Sequence, residues 1–179
     1  MSKTFIALLR GINVSGQKKI KMAELRIVLE GAGLKNVQTY IQSGNIVFDI
    51  DETGKDNLQD TITKAIQRNF GFDVPTLVMQ KKNVKQILEA NPFANEDEEN
   101  KLYYVLLKNP PKKELIKQFE QLRFENEDFH ITDTCVYLLC KNGYGRAKLN
   151  NNLIEKKLRV EATTRNQKTM KKLQEMTSD

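Results

Sequence analysis

Two glycines in the first loop of the chain have the spacing of the two glycines in a phosphate-binding P-loop. Gly11 and Gly16 lie five residues apart in the loop that follows the apolar run Phe5–Leu9. A P-loop holds phosphate with backbone N–H groups and needs Lys directly after the second glycine, followed by Ser or Thr. Because Gln17 stands at the lysine position, we exclude a P-loop nucleoside triphosphatase. The remaining alternatives are a weaker site for one anionic group and two glycines that only shape a tight loop.

A second polar segment is expected to lie beside this loop. The predicted elements follow the order βαββαβ, in which the loop after the first strand and the hairpin between the second and third strands share one end. The six residues that this order brings together are Arg10, Asn13, Ser15, Gln42, Ser43 and Asn45. A recognition site and ordinary turn chemistry both explain these residue types, because Ser-Gly and Asn are favoured in hairpins.

The second half of the chain offers another candidate site. Its glycine-bracketed loop Asn142–Arg146 and the segment Thr163–Asn166 are expected to share one sheet end. A tyrosine there can stack on a base or ring, and arginines can hold phosphate. The candidate ligand-binding residues are Tyr144, Arg146, Arg165 and Asn166. The alternative is that Asn166 caps a helix and Arg165 is an ordinary surface residue.

Cysteine and histidine are too few to support metal or thiol chemistry. Cys135 and Cys140 are five residues apart in one predicted strand, so they lie on opposite faces and cannot bridge each other. A catalytic cysteine needs a nearby histidine, and His130 is the only histidine in the chain. We therefore predict two buried, reduced thiols, no metal site and no cofactor.

The spacing of apolar residues predicts an α+β fold of two tandem ferredoxin-like (βαββαβ) halves with a C-terminal helix. Residues 1–80 form the first half, residues 81–100 a short helix and an acidic linker, and residues 101–179 the second half with the C-terminal helix. The topology orders each sheet 4-1-3-2, which places the first and third strands in the centre.

The central strands are apolar on both faces, although helices cover only one face of such a sheet. In the first strand, Phe5, Ala7 and Leu9 alternate with Ile6 and Leu8. The second face must therefore meet apolar surface, either the other half of the chain or a second copy in a homodimer. This argues against an RNA-recognition sheet, which keeps an open face with stacking aromatic residues.

Turn and capping residues predict three local features. The second strand, Val37–Gln42, is joined to the third by a two-residue turn at Ser43-Gly44. Asn83 caps the short helix of the middle segment. The last strand runs over Arg159–Thr163.

The net charge of +6 is concentrated at the end of the chain. Residues 1–140 are balanced, whereas residues 141–179 hold ten Lys and Arg against four Asp and Glu. A basic segment suits a phosphate-bearing partner, although solvated helix faces produce the same charge. No apolar run approaches the ~18–20 residues of a membrane span, so we expect a cytoplasmic protein without a membrane partner.

Several longer stretches resemble one family. The strongest are Leu8–Val14, Lys21–Arg26 and Thr39–Asn45, and later matches are Asn91–Phe93 and Thr163–Asn166. Through them the chain resembles the bacterial domain-of-unknown-function 1697 family over nearly its whole length. The resemblance implies an α+β fold of ferredoxin-like type, and it supplies no reaction or ligand.

Two hypotheses for the function follow from these residues. The first is a non-catalytic protein that binds a phosphate-bearing ligand, with nucleic acid preferred. The alternative is a metal-independent small-molecule enzyme with a polar site between the two halves, near Arg10, Asn13, Ser43 and Asn45. Whether the protein is an enzyme is left open by the sequence.

Overall fold

The computed structural model describes residues 1–51, 55–95 and 98–178. Within these ranges the chain forms two four-stranded sheets, and its contacts divide it into two units. The first unit comprises Met1–Val84 and the residues from Lys172 onward, and the second comprises Lys85–Lys171. The predicted boundaries at residues 80 and 100 stay a prediction, and two residues of the predicted acidic linker, Glu96 and Asp97, lie outside the described residues.

The first unit has the element order that the sequence predicts. Its elements are β1 (Lys3–Leu9), α1 (Met22–Gly31), β2 (Lys35–Tyr40), β3 (Asn45–Ile50), α2 (Lys55–Phe70) and β4 (Thr76–Gln80). They are followed by α3 (Lys81–Glu89), of which only the residues up to Val84 belong to the first unit. The strands are antiparallel and ordered β2-β3-β1-β4, so β1 and β3 are central. The predicted topology of this sheet is confirmed.

The core of the first unit follows from the helical spacing of apolar residues. Met22, Leu25 and Leu29 recur every three to four residues, so they form one face of α1, and all three are buried. They belong to the same core cluster as Phe5 and Phe48, whose rings stack at 6.0 Å on β1 and β3. Each such side chain contributes about 1.5–3 kcal/mol on burial, which fixes the sheet beneath its end loops.

The second unit repeats this order. Its elements are β5 (Leu102–Leu107), α4 (Lys113–Glu120), β6 (Glu127–Ile131), β7 (Cys135–Cys140), α5 (Asn151–Leu158) and β8 (Ala162–Asn166). They are followed by α6 (Gln167–Met176), of which only the residues up to Lys171 belong to the second unit. The strand order is β6-β7-β5-β8, again as predicted. The two sheets and the helix α6 together confirm the predicted α+β fold class.

The central strands are buried on both faces. In β1, the residues Ile6 and Leu8 are buried although they alternate with the core residues that face the helices. The predicted homodimer through such faces stays a prediction. In β7, Cys135 and Cys140 are free, buried thiols, and burial raises the pKa of both, that of Cys140 to about 12.

The predicted turn between β2 and β3 is wrong. β2 ends at Tyr40, and four residues, Ile41–Gly44, connect it to β3. The strand ends early because Tyr40 pairs with Asn45, whose Nδ2 also donates to the Tyr40 carbonyl oxygen at 3.0 Å.

The predicted helix cap and last strand are also corrected. Asn83 lies inside α3, where its Oδ1 accepts from the N–H of Gln80 at 3.0 Å, so it reaches back from the third helical residue. The last strand begins at Ala162 because α5 ends with Arg159 in a left-handed conformation and β8 pairs from Leu107 opposite Ala162.

Candidate functional site

Two loops of the first unit lie together at one end of its sheet, as the topology predicts. We call them the loop pair and define it as Arg10–Lys21 with Ile41–Gly44. Asn13 joins the two, because its Nδ2 donates to the carbonyl oxygens of Gln42 at 2.7 Å and Ile20 at 3.0 Å. Its Oδ1 accepts from the N–H of Ile20 at 2.9 Å. Both the Nδ2 and the Oδ1 of Asn13 are therefore engaged in hydrogen bonds that hold the two loops in place.

Gly44 brings the hairpin directly against β1. The N–H of Leu9 donates to the Gly44 carbonyl oxygen at 2.9 Å. A Cβ on Gly44 would lie 2.6 Å from the Cβ of Leu9, and its φ of +85° also favours glycine. Next to it, the buried Asn45 donates its Nδ2 to the Ser43 hydroxyl at 2.9 Å. The side-chain amides of Asn13 and Asn45 bond to groups of these turns, which is sufficient to explain why asparagine stands at both positions.

The remaining predicted residues of the loop pair lie at its surface. Ser15 and Gln42 are exposed and Arg10 is half-buried. Lys19 and Lys21 are also exposed, and among the described residues neither makes an ion pair. Residues 10–21 hold four Lys and Arg and no Asp or Glu, so the loop is strongly cationic.

The tips of the loop pair carry two exposed apolar side chains. Val14 is 57% exposed and Ile41 is 51% exposed. Ile41 has a φ of +50°, which a β-branched residue adopts only at a cost of about 1–2 kcal/mol. Strained residues of this kind persist where the surrounding structure holds them, and they concentrate at functional sites.

In the second unit, Tyr144 is held by its own surroundings. Its ring stacks on Tyr103 with the centroids 4.8 Å apart. Its hydroxyl oxygen accepts from the N–H of Asn151 at 2.9 Å. One ring face and the phenol group are therefore engaged within the unit, which leaves less of Tyr144 for a ligand than the sequence suggests.

Arg146 is exposed and lines a shallow cleft of about 440 Å³. The cleft also contains Lys148 and two carboxylates, Glu125 and Glu127. The Glu127 carboxylate accepts from the N–H groups of Lys148 at 3.1 Å and Leu149 at 2.7 Å. Because the two positive and two negative side chains balance, this cleft has little preference for an anion.

Arg165 is buried, whereas Asn166 is exposed and begins a helix. Arg165 is only 9% exposed, so the prediction of an ordinary surface residue is wrong. It is buried because β8 extends through it, with Arg165 opposite Tyr104, and burial lowers its pKa to about 10. Asn166 caps α6 as predicted, with its Oδ1 accepting from the N–H of Thr169 at 2.8 Å. Ligand binding by either residue stays a prediction.

A buried polar network in the second unit was not anticipated from the sequence. Asn91 donates its Nδ2 to the Tyr104 hydroxyl at 2.9 Å, and that hydroxyl donates to Oε1 of Gln167. Desolvation raises the pKa of Tyr104 to about 12. Asn91 belongs to one of the stretches that carry the family resemblance, and this was the only sign of the network in the sequence. Its side chain is buried and bonds to Tyr104, so it has a structural role.

The described residues contain no group of three or more His, Cys, Asp or Glu side chains placed to hold a metal ion. In the same part of the chain, no helix is both long enough and apolar enough to cross a membrane.

Comparisons with known proteins give a family and a fold. Residues 2–137 match the model of a family described as a protein of unknown function, DUF1697. A solved structure of the conserved bacterial protein SP0830 from Streptococcus pneumoniae is similar at 24% sequence identity and a TM-score of 0.78. The similarity covers 98% of this chain and 99% of that one, and it shows the fold alone. Comparison with curated proteins finds no match.

Proposed function

This chain belongs to the DUF1697 family of proteins of unknown function, and we propose that it binds a phosphate-bearing ligand, single-stranded nucleic acid, through the loop pair. The observation that carries this proposal is the charge of the first loop, which has four cations and no carboxylate from Arg10 to Lys21. Lysines in this setting neutralise phosphates and release the counterions that surround them. Lys19 and Lys21 are the most available, since both are exposed and neither makes an ion pair among the described residues.

The fixed geometry of the loop pair supports the proposal. Asn13 bonds the first loop to the hairpin, and Gly44 brings the hairpin against β1. Lys18 is also anchored, with its Nζ donating to the Asp73 carbonyl oxygen at 2.7 Å. A loop that is ordered before binding loses less conformational entropy when a ligand arrives. The cations would therefore present a defined surface to a phosphate backbone.

The exposed apolar tips give this surface a second kind of contact. Val14 and Ile41 lie on the two loops that Asn13 joins. An unpaired base has an apolar face that packs on such side chains, whereas the bases of a duplex are already stacked. This supports single strands over duplex nucleic acid as the preferred ligand.

The alternative is a metal-independent enzyme with a polar site near Arg10, Asn13, Ser43 and Asn45. Three of these side chains are engaged in local structure, since Asn13 is bonded to the Gln42 carbonyl oxygen and Asn45 to the Ser43 hydroxyl. Groups committed to loop structure are poorly placed to bind and turn over a substrate. The described geometry therefore favours the binding hypothesis.

Fluorescence anisotropy with labelled single-stranded RNA and DNA tests the proposal. Affinity is measured at about 50 and 200 mM salt for the wild type and a Lys19→Ala/Lys21→Ala double variant. The slope of log K against log salt concentration is expected to become less steep by about 1.4 in this variant. This value assumes the loss of two phosphate contacts at about 0.7 per contact for single strands. A Lys156→Ala/Lys157→Ala double variant removes the same charge from exposed residues of α5 and serves as the control.

The control variant distinguishes binding at the loop pair from a general attraction between a basic protein and nucleic acid. Equal weakening of both double variants would show that binding follows net charge and that the loop pair is not the site. Absence of binding to either strand at about 50 mM salt would overturn the nucleic-acid proposal itself.

A further inference from the structure

A groove of about 650 Å³ lies in the second unit between the start of α4 and the end of α5. We call it the α4–α5 groove. Four of its lining residues are apolar and three are cationic, namely Pro110, Leu115, Leu158, Val160, Lys108, Lys112 and Arg159. The volume lies within the range of about 300–1,000 Å³ that small-molecule sites occupy. None of its residues belongs to the loop pair.

The cations of the groove are only partly neutralised. Lys108 pairs with Glu161 at 2.9 Å, and Glu161 is the one carboxylate in the lining. Among the described residues, neither Lys112 nor Arg159 makes an ion pair. Two positive groups of the lining therefore remain available beside its apolar residues, in contrast to the balanced cleft beside Arg146.

Arg159 occupies a backbone position that favours glycine. It is the C-cap of α5, with a φ of 55° and a ψ of 42°, and its N–H donates to the Glu155 carbonyl oxygen at 2.8 Å. Glycine adopts this left-handed conformation without the steric penalty that a Cβ brings. Arginine at this position therefore makes the fold less stable than glycine would. The Arg159 side chain lines the groove.

We propose that the α4–α5 groove binds a small organic anion, a carboxylate or phosphate monoester that carries an apolar body. The guanidinium of Arg159 offers two parallel N–H donors, the arrangement that recognises carboxylate and phosphate oxygens. Lys112, at the start of α4, supplies a second charge. The apolar body packs on Leu115, Val160 and Pro110. This inference is independent of nucleic-acid binding by the loop pair.

The test uses phenyl phosphate as the probe on the full chain, followed by amide chemical shifts in NMR. We expect saturable shifts at Lys112, Leu115, Arg159 and Val160. Inorganic phosphate is expected to bind at least about tenfold more weakly, because it lacks the apolar body. Equal affinity for the two probes would contradict an apolar contribution, and shifts confined to other parts of the chain would overturn the site.

Arg159→Gly separates binding from stability. This variant relieves the left-handed backbone and is expected to melt at a higher temperature, while its affinity for phenyl phosphate falls about tenfold through loss of the bidentate contact. Lys157→Ala removes one charge from the same helix outside the groove and should retain wild-type affinity. Unchanged affinity in Arg159→Gly, or an equal loss in Lys157→Ala, would contradict the proposal.

Discussion

Asn13 donates its Nδ2 to the carbonyl oxygen of Gln42 at 2.7 Å, although the two residues are 29 positions apart in the chain. This bond joins the loop after β1 to the hairpin between β2 and β3. Because the same side chain also closes the first loop on Ile20, one residue sets both the shape of the cationic loop and its place beside the hairpin. The surface proposed to bind phosphate depends on that connection.

Asn13→Asp is expected to destabilise the first unit. The carboxylate can still accept from the Ile20 N–H, but it cannot donate to the carbonyl oxygens of Ile20 and Gln42. Loss of two hydrogen bonds predicts a fall of about 1–3 kcal/mol in the free energy of unfolding, measured with urea. Asn142→Asp makes the same chemical change at an exposed position and should stay within about 0.5 kcal/mol of wild type. Similar values for both variants would contradict the role of Asn13.

Gly44→Ala tests the contact between the hairpin and β1. The new Cβ would overlap Leu9 and would also require a left-handed backbone from alanine. We expect a loss of about 2–4 kcal/mol in urea unfolding, combining overpacking with backbone strain. Gly31→Ala is the matched control, because nothing lies within 4 Å of its Cβ position and it ends a helix. The control should be neutral or gain up to about 1 kcal/mol, so a loss as large as that of Gly44→Ala would count against this explanation.

The buried network around Tyr104 predicts a loss of stability at high pH. Burial raises the pKa of Tyr104 from 10.0 to about 12, so the folded state holds this proton more tightly than the unfolded state. The stabilisation is complete below pH 10 and is lost as the pH rises through about 12. The buried Tyr137 and both thiols also have raised pKa values, so they add to the decline.

Tyr104→Phe isolates the contribution of this one group. The variant loses the bonds to Asn91 and Gln167, so it should be less stable than wild type near neutral pH. Between pH 10 and 11, its free energy of unfolding should fall less steeply, by up to about 1.4 kcal/mol per pH unit. Urea unfolding at a series of pH values measures both effects. Parallel pH profiles for the two proteins would contradict the burial argument.

The thiols predict a simple chemical result. Cys135 and Cys140 are buried, and desolvation raises the pKa of both, so little thiolate forms at neutral pH. We expect a thiol reagent such as Ellman's reagent to label neither residue in the folded protein at pH 8 and both after unfolding. Rapid labelling of the folded protein would contradict the burial of these two thiols in β7.

The strand order could be predicted from the sequence because it depends on long, regular patterns. Continuous apolar runs in β1 and β7 and the helical spacing of Met22, Leu25 and Leu29 leave few alternatives. The strand pairing then follows from the element order alone. The joint position of the two polar loops was predictable for the same reason.

The details of the candidate site depend on local conformations that residue types do not reveal. A β-branched residue such as Ile41 rarely adopts a left-handed conformation, so its residue type did not indicate that β2 ends before it and that the hairpin loop has four residues. The predicted last strand ends at Thr163, which would leave Arg165 beyond the strand and at the surface. In the structure β8 extends through Arg165 and buries it. The α4–α5 groove joins segments that are about 50 residues apart and had no motif to mark it.

The most direct test of phosphate binding by the loop pair is an NMR titration of the full chain with a short single-stranded oligonucleotide. We predict saturable shifts of the backbone amides of residues 10–21 and 41–44, which weaken as salt is raised. The same titration of Lys19→Ala/Lys21→Ala should show smaller shifts at the same amides. Saturable shifts that avoid both loops, or no shifts at low salt, would contradict the proposed function.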